Sequence, residues 1–198
     1  MYDEGKEMQT ENVLIARICH DLITPCNAIN LGLEAYEMSE DKGLLSCIKD
    51  SATKANVLLK FMRELFMKKD DNYLYSVEFL RNLVAEFLEV YNIGSDFVTD
   101  CGNFNCSLGR IILCNGAIMK ELMPMGGKVT FKMSSDCIEI ICSGNGVIEL
   151  DTSIPQELTY KNVLRFKLLE QLKINGFSVV SSLEHGEGKI IESCIKLS

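Results

Sequence analysis

Histidine is scarce in this chain: two occur in 198 residues, His20 and His185. Chemistry that depends on an imidazole therefore has only two places to sit. A set of several histidines around a metal ion is excluded. No apolar run approaches the roughly 20 residues needed to span a bilayer as a helix. Basic residues are outnumbered, with 20 Lys and Arg against 28 Asp and Glu and a formal net charge of −8. That balance argues against nucleic acid or an anionic membrane as a partner, because both select basic surfaces. The nine cysteines are scattered, with no Cys-x-x-Cys pair. No signal-peptide pattern is visible, so the thiols are expected to be reduced in a cytoplasmic protein. Cys101, Cys106 and Cys114 lack the spacing of a zinc set and have no nearby histidine.

What is present is an ordinary globular composition, 47% apolar and 24% charged. The polar cluster Lys68–Asn72 divides the chain, giving expected domains at 1–70 and 71–198. In the first, apolar residues recur at Ile15, Ile18, Leu22, Cys26, Ile29, Leu33 and Tyr36, in helical steps of three and four. The spacing predicts one long helix over about 10–38, kinked at Pro25 but not ended there. After a turn at Ser39, Asp41 and Gly43, a second helix is expected over about 44–67. Two such helices make an antiparallel hairpin, and a second copy would cover both stripes as a four-helix bundle. A homodimer is therefore expected.

The second domain reads as helices near 76–91, 108–122 and 163–174. Strands are expected near 96–99, 128–133, 138–142, 177–183 and 189–197. Gly176 should stop the last helix. The class is α+β with a mostly antiparallel sheet.

On the first helix, His20 lies about 160° around the axis from both Ile18 and Leu22. It faces away from the apolar stripe, on a polar line with Arg17, Thr24 and Asn27, with Asp21 beside it. A solvated helix face would look the same. Cys19 borders the stripe and is expected to be buried. His185 lies in a Gly-rich turn and reads as a turn residue.

The words around His20 are more specific. Arg17-Ile18-Cys19-His20-Asp21-Leu22-Ile23-Thr24-Pro25 resembles the phosphoacceptor box of two-component histidine kinases, His-Glu/Asp-Leu-x-Thr/Ser-Pro. The longer string is similar to the ChpT-type histidine phosphotransferases of alphaproteobacteria. These carry Arg-Ile-Cys-His-Asp-Leu-Ile-Ser-Pro, then Ala-Ile-Asn-x-Gly-Leu-Glu. Here Ala28-Ile29-Asn30 and Gly32-Leu33-Glu34 fall in that register. The resemblance is sharp over residues 16–34.

It implies a phosphorelay protein with a role in cell-cycle or developmental control. His20 would take a phosphoryl group from the receiver aspartate of a hybrid kinase and pass it to a response-regulator aspartate. Histidine titrates near neutrality and suits that role. Asp21 would hold the ring, Thr24 would bind the transferred group or position water, and Arg17 would supply cationic charge. The helix face below His20 (Asn27, Ala28, Leu31) is the expected docking surface. Arg165 and Lys167 are further candidates by charge, beside the alternative that the second domain is only a scaffold. No cofactor of its own is expected, and Mg²⁺ belongs to the partner receiver.

The same resemblance implies a second domain like a degenerate histidine-kinase ATPase domain. Gly126-Gly127 matches the turn before a kinase strand. The two asparagine slots upstream hold Cys114 and Ile118, with Asn115 out of register. In the Asp-x-Gly-x-Gly motif both glycines survive as Gly144 and Gly146, but Cys142 stands in the aspartate slot. The segment that should carry the glycine-rich lid, Tyr160–Lys167, has no glycine. ATP binding is therefore not expected. The competing readings are a divergent ATP-dependent sensor kinase and a non-catalytic dimer that binds receivers.

Overall fold

A computed structural model describes residues 4–70, 72–134, 137–155, 157–184 and 187–194. It divides into two compact units. One contains the chain up to Met67 together with the short segment Leu158–Val163. The other contains Lys68–Glu157 and the chain from Leu164 onward. The sequence reading places 158–163 in the second domain; in the structure this segment groups with the helices.

In the helical unit, α1 spans Glu4–Ser39 and α2 spans Gly43–Phe66. The helix α1 runs on through Pro25. Between the helices, Glu40 takes a left-handed φ of 52°. The Asp41 carboxylate accepts from the Gly43 N–H at 2.8 Å, satisfying an orphan donor at the start of α2. A Cβ built on Gly32 would lie 2.7 Å from Ile48 Cγ1, so the helices approach closely there.

The expected apolar stripe is only partly buried. Ile18, Leu22, Ile29 and Tyr36 are half-buried, whereas Ile15, Cys26 and Leu33 are exposed. One neighbouring helix cannot cover a stripe this wide. A different line of α1 is covered instead: Thr10, Leu14 and Arg17 are buried. Cys19, expected to be buried, is exposed.

In the second unit, β1 (Leu74–Ser76) and β3 (Asn103–Asn105) form a small antiparallel ribbon that the sequence reading lacks. At three residues each they are too short to carry a periodic signal. Each leads directly into a helix. Ser76 caps α3 (Val77–Glu89) by accepting from the Phe79 N–H, and Asn105 caps α4 (Cys106–Leu122) by accepting from the Leu108 N–H.

The main sheet has five strands: β2 (Ile93–Val98), β4 (Gly127–Met133), β5 (Cys137–Ser143), β6 (Phe177–Glu184) and β7 (Glu187–Cys194). Their order is β2-β4-β5-β7-β6. Only the β2–β4 pair is parallel. Alternation buries Val129, Phe131 and Met133 of β4 and Ile138, Ile140 and Cys142 of β5 on one face. That face meets α4, where Cys142 Sγ lies 3.6 Å from Met119 Sδ. The helix α5 (Val163–Ile174) buries Leu164, Leu168 and Leu172. It stops before Gly176, whose φ is 72°. The result is an α+β fold with a helical hairpin and an α/β-sandwich unit.

Candidate functional site

His20 lies mid-way along α1, with 60% of its side chain exposed. Thr24, Asn27, Ala28 and Leu31 follow it and are all exposed. Steps of four, three and four residues keep Thr24, Asn27 and Leu31 within about 40° of His20 around the axis. The histidine therefore stands on an open ridge.

Arg17 departs from the solvent-side placement expected for it. Only 8% of it is exposed. Its Nε donates to Asp21 Oδ2 at 3.1 Å, one helical turn on. Its Nη1 donates to the backbone carbonyl of Tyr160 at 2.9 Å. The burial has a physical cause: the segment Leu158–Val163 lies along this side of α1, and the guanidinium supplies fixed donors for two acceptors. Asp21 is nearly covered as well, with 11% of its side chain exposed. Its other oxygen, Oδ1, sits 3.4 Å from His20 Nδ1. A long Nδ1–H···Oδ1 contact of this kind favours the tautomer that leaves Nε2 with its lone pair.

Tyr160 completes the surroundings of the imidazole. Its ring centroid lies 5.0 Å from that of His20, with the planes tilted by 30°. No sequence signal could have found this pairing, because the two residues are 140 positions apart and share no motif.

Arg165 and Lys167 lie on α5 in the other unit, and each has an acidic neighbour. Arg165 Nη1 donates to Asp151 Oδ2. Lys167 Nζ donates to Glu170 Oε2 at 2.7 Å. His185 lies outside the described residues.

The kinase-like positions of the second unit have apolar or backbone roles. Cys114 and Ile118 are buried in α4. Asn115 is fully buried, and its Nδ2 donates to the Ile111 carbonyl at 3.0 Å, turned back on its own helix. Cys142 is 1% exposed, and burial pushes its thiol up to about 11. A neutral thiol against Met119 thus stands where the kinase pattern has an aspartate. Gly127, at φ 138°, is needed for close packing: a Cβ there would meet the Ser143 carbonyl oxygen at 2.4 Å. A Cβ on Gly126, at φ 75°, would meet the Asn92 carbonyl oxygen at 2.6 Å. Both glycines are explained by the fold without a phosphate. Among the described residues, no group of three or more His, Cys, Asp or Glu could hold a metal ion.

No family model matches the chain. A curated relative does. The chain is similar to the protein phosphotransferase ChpT of Brucella abortus (strain 2308). Identity is 30% over 131 residues, which are 61% of this chain and 59% of ChpT. The match thus spans about six-tenths of the relative's length. A solved bacterial phosphotransferase structure, 20% identical, superposes with a TM-score of 0.83. It covers 94% of this chain and 96% of that one, which establishes the shared fold. No helix among the described residues is long and apolar enough to cross a membrane.

Proposed function

We propose that the chain is a histidine phosphotransferase of a two-component phosphorelay, with His20 as the residue that carries the phosphoryl group. One observation carries the reading. An exposed imidazole stands on a helix ridge with Nδ1 against a carboxylate, which leaves Nε2 as an open nucleophile. The similarity to ChpT and the shared fold support it.

In the proposed step, His20 Nε2 attacks the phosphorus of an aspartyl phosphate on a receiver domain. The N–P bond forms as the acyl P–O bond breaks, and the receiver carboxylate leaves. Because the proton stays on Nδ1, no base has to remove one from Nε2. Asp21 holds the ring and balances the positive charge that develops on it. Thr24, one turn along, would hydrogen-bond the transferred group. Mg²⁺ would be bound by the receiver rather than by this chain. The reverse reaction passes the group to a second receiver, so a hybrid kinase and a response regulator can use the same ridge. Asn27, Ala28 and Leu31 continue that ridge and would meet the receiver. Arg165 and Lys167 would contribute to docking only by exchanging their present acidic neighbours for receiver carboxylates. Arg17 acts indirectly in this reading, by fixing Asp21.

We further propose a homodimer in which two hairpins form a four-helix bundle. The exposed part of the stripe, Ile15, Cys26 and Leu33, supports it, because it lies on the side of α1 away from His20. Nucleotide binding is not part of the proposal, since the slots for magnesium and adenine hold Cys114, Ile118 and Cys142. The cytoplasm is the proposed location.

The test is incubation with a receiver domain carrying labelled phosphate, followed by mapping of the acid-labile phosphate. Label on His20, and none on His20→Gln, is expected. Undiminished labelling of His20→Gln would overturn the assignment. Labelling from ATP alone would favour the kinase reading instead.

A further inference from the structure

We propose that Tyr160 is a positioning residue for His20: its ring sets the plane of the imidazole so that Nε2 points outward along the line of attack. This rests on the phosphotransferase reading of His20.

Four contacts close a circuit around the histidine. The Tyr160 carbonyl accepts from Arg17 Nη1 at 2.9 Å, and Arg17 Nε donates to Asp21 Oδ2 at 3.1 Å. Asp21 Oδ1 lies 3.4 Å from His20 Nδ1, and the His20 ring returns to the Tyr160 ring at 5.0 Å between centroids. Each contact fixes a different freedom. The carboxylate alone fixes where Nδ1 lies, but at 3.4 Å it is too long to fix the tilt of the ring. A flat neighbour at stacking distance limits that tilt.

Tyr160 is itself held. Its segment is a tight turn in which the Thr159 carbonyl accepts from the N–H groups of Asn162 and Val163, at 3.2 and 3.0 Å. The Thr159 N–H donates to Asn162 Oδ1 at 2.8 Å. Val163, at the end of the turn, is fully buried. The ring therefore projects from a fixed backbone rather than from a loose loop.

The chemistry accepts a neighbour on the ring face. The lone pair of Nε2 lies in the imidazole plane, so an in-line attack proceeds at the ring edge. In the proposed arrangement the Tyr160 ring, inclined by 30° to the imidazole at 5.0 Å between centroids, sits against the face and leaves that edge open. The same placement limits motion out of plane, and reactions of this kind lose rate steeply when the reacting atoms are misaligned.

The experiment compares wild type, Tyr160→Phe and Tyr160→Ala in phosphotransfer from a labelled receiver over a range of receiver concentrations. The backbone link to Arg17 survives in both variants, because it uses the Tyr160 carbonyl. For Tyr160→Ala, the maximal transfer rate is expected to fall roughly tenfold or more. Its half-saturating receiver concentration should stay unchanged, and Tyr160→Phe should match wild type. A ring-current shift of the His20 ring protons, measured by NMR, should be present in wild type and Tyr160→Phe and lost in Tyr160→Ala.

Wild-type rates in Tyr160→Ala would overturn the inference. So would a rise in half-saturation alone, which marks a docking contact, or a loss in Tyr160→Phe as large as in Tyr160→Ala. The two readings fail differently. If wild type never takes label on His20, the phosphotransferase reading falls, and this inference with it. If wild type is labelled there and Tyr160→Ala transfers normally, only the positioning role falls.

Discussion

Arg17 on α1 donates to the backbone carbonyl of Tyr160 at 2.9 Å, across 143 positions of sequence. The same guanidinium holds Asp21. A basic residue beside a nucleophile invites the idea of a contact with phosphate or with an acidic receiver. Its burial and its two acceptors assign it a different task, that of fixing the carboxylate beside His20.

The first prediction follows from that arrangement. Arg17→Ala leaves the Tyr160 carbonyl and a nearly covered Asp21 carboxylate without this donor. Stability should fall by about 1–3 kcal/mol, read as a lower urea midpoint at unchanged slope. Phosphotransfer should fall as well, because Asp21 is no longer fixed. Arg17→Lys keeps the charge but cannot present two donors in the same fork, so it should lie between wild type and Arg17→Ala.

The outline of both units was legible in the sequence because long periodic segments dominate it. The spacing predicts the two hairpin helices and the five strands of the main sheet, although α1 begins at Glu4, six residues before its expected start, and the last three residues of the final expected strand lie outside the described residues. What was not legible has a common cause. The ribbon β1–β3 is three residues per strand. The burial of Arg17 and the ring of Tyr160 beside His20 depend on a segment far along the chain. A helical wheel gives a direction for each side chain, but not what else in the chain occupies that direction. The wheel puts Arg17 on the solvent side for that reason, while His20, 60% exposed, lies where its angle puts it.

The exposed apolar residues of α1 give a second prediction. Ile15 is 57% exposed and Leu33 44% exposed, and both point along one side of the helix. Lysine at either position disturbs little within the single chain, because an exposed site tolerates charge. In a four-helix bundle the same charge is forced into an apolar seam. Wild type is expected to sediment as a dimer, and Ile15→Lys/Leu33→Lys as a folded monomer at the same concentration. Dimer retention by this variant would place the interface elsewhere.

Gly127 separates a structural turn from a phosphate cradle. Its φ of 138° and the Ser143 carbonyl oxygen, 2.4 Å from where a Cβ would stand, leave no room for a side chain. Gly127→Ala should lose about 2–3 kcal/mol of stability, seen in thermal or urea unfolding. Transfer per folded molecule should be unchanged, because no step of the proposed reaction uses this glycine.

Cys142 gives a prediction in pH. Its thiol is raised from 9.0 to about 11 by burial in β5. The unfolded chain releases that proton near 9, so between about 9 and 11 the folded state binds more protons than the unfolded one. Stability then falls as pH rises through this window. The contribution is fully present below about 9 and is lost by about 11, on the order of 2–3 kcal/mol. Cys142→Ala removes the titrating group. Its unfolding free energy should therefore decline less steeply than that of wild type between about pH 9 and 11.

The last prediction concerns Asp151, which lies beside Arg165. Its carboxyl is lowered from 3.8 to about 2, first by the hydroxyl and N–H of Ser153 and then by Arg165. Ser153 Oγ donates to Asp151 Oδ1 at 2.6 Å and the Ser153 N–H donates to the same oxygen at 2.9 Å. The carboxylate therefore stays charged down to about pH 2. In a carboxyl NMR titration, Ser153→Ala and Arg165→Ala should each raise the Asp151 midpoint toward 3.8. The pair also sets what Arg165 can offer a receiver. A guanidinium already facing a carboxylate must give up that neighbour before it gains another, and Lys167 faces Glu170 in the same way. Exposed exchanges of this kind are nearly balanced. Arg165→Ala/Lys167→Ala should accordingly raise the half-saturating receiver concentration by no more than about threefold. A much larger rise would show that the receiver meets α5 directly, and would move the main docking contacts away from the ridge of Thr24, Asn27 and Leu31.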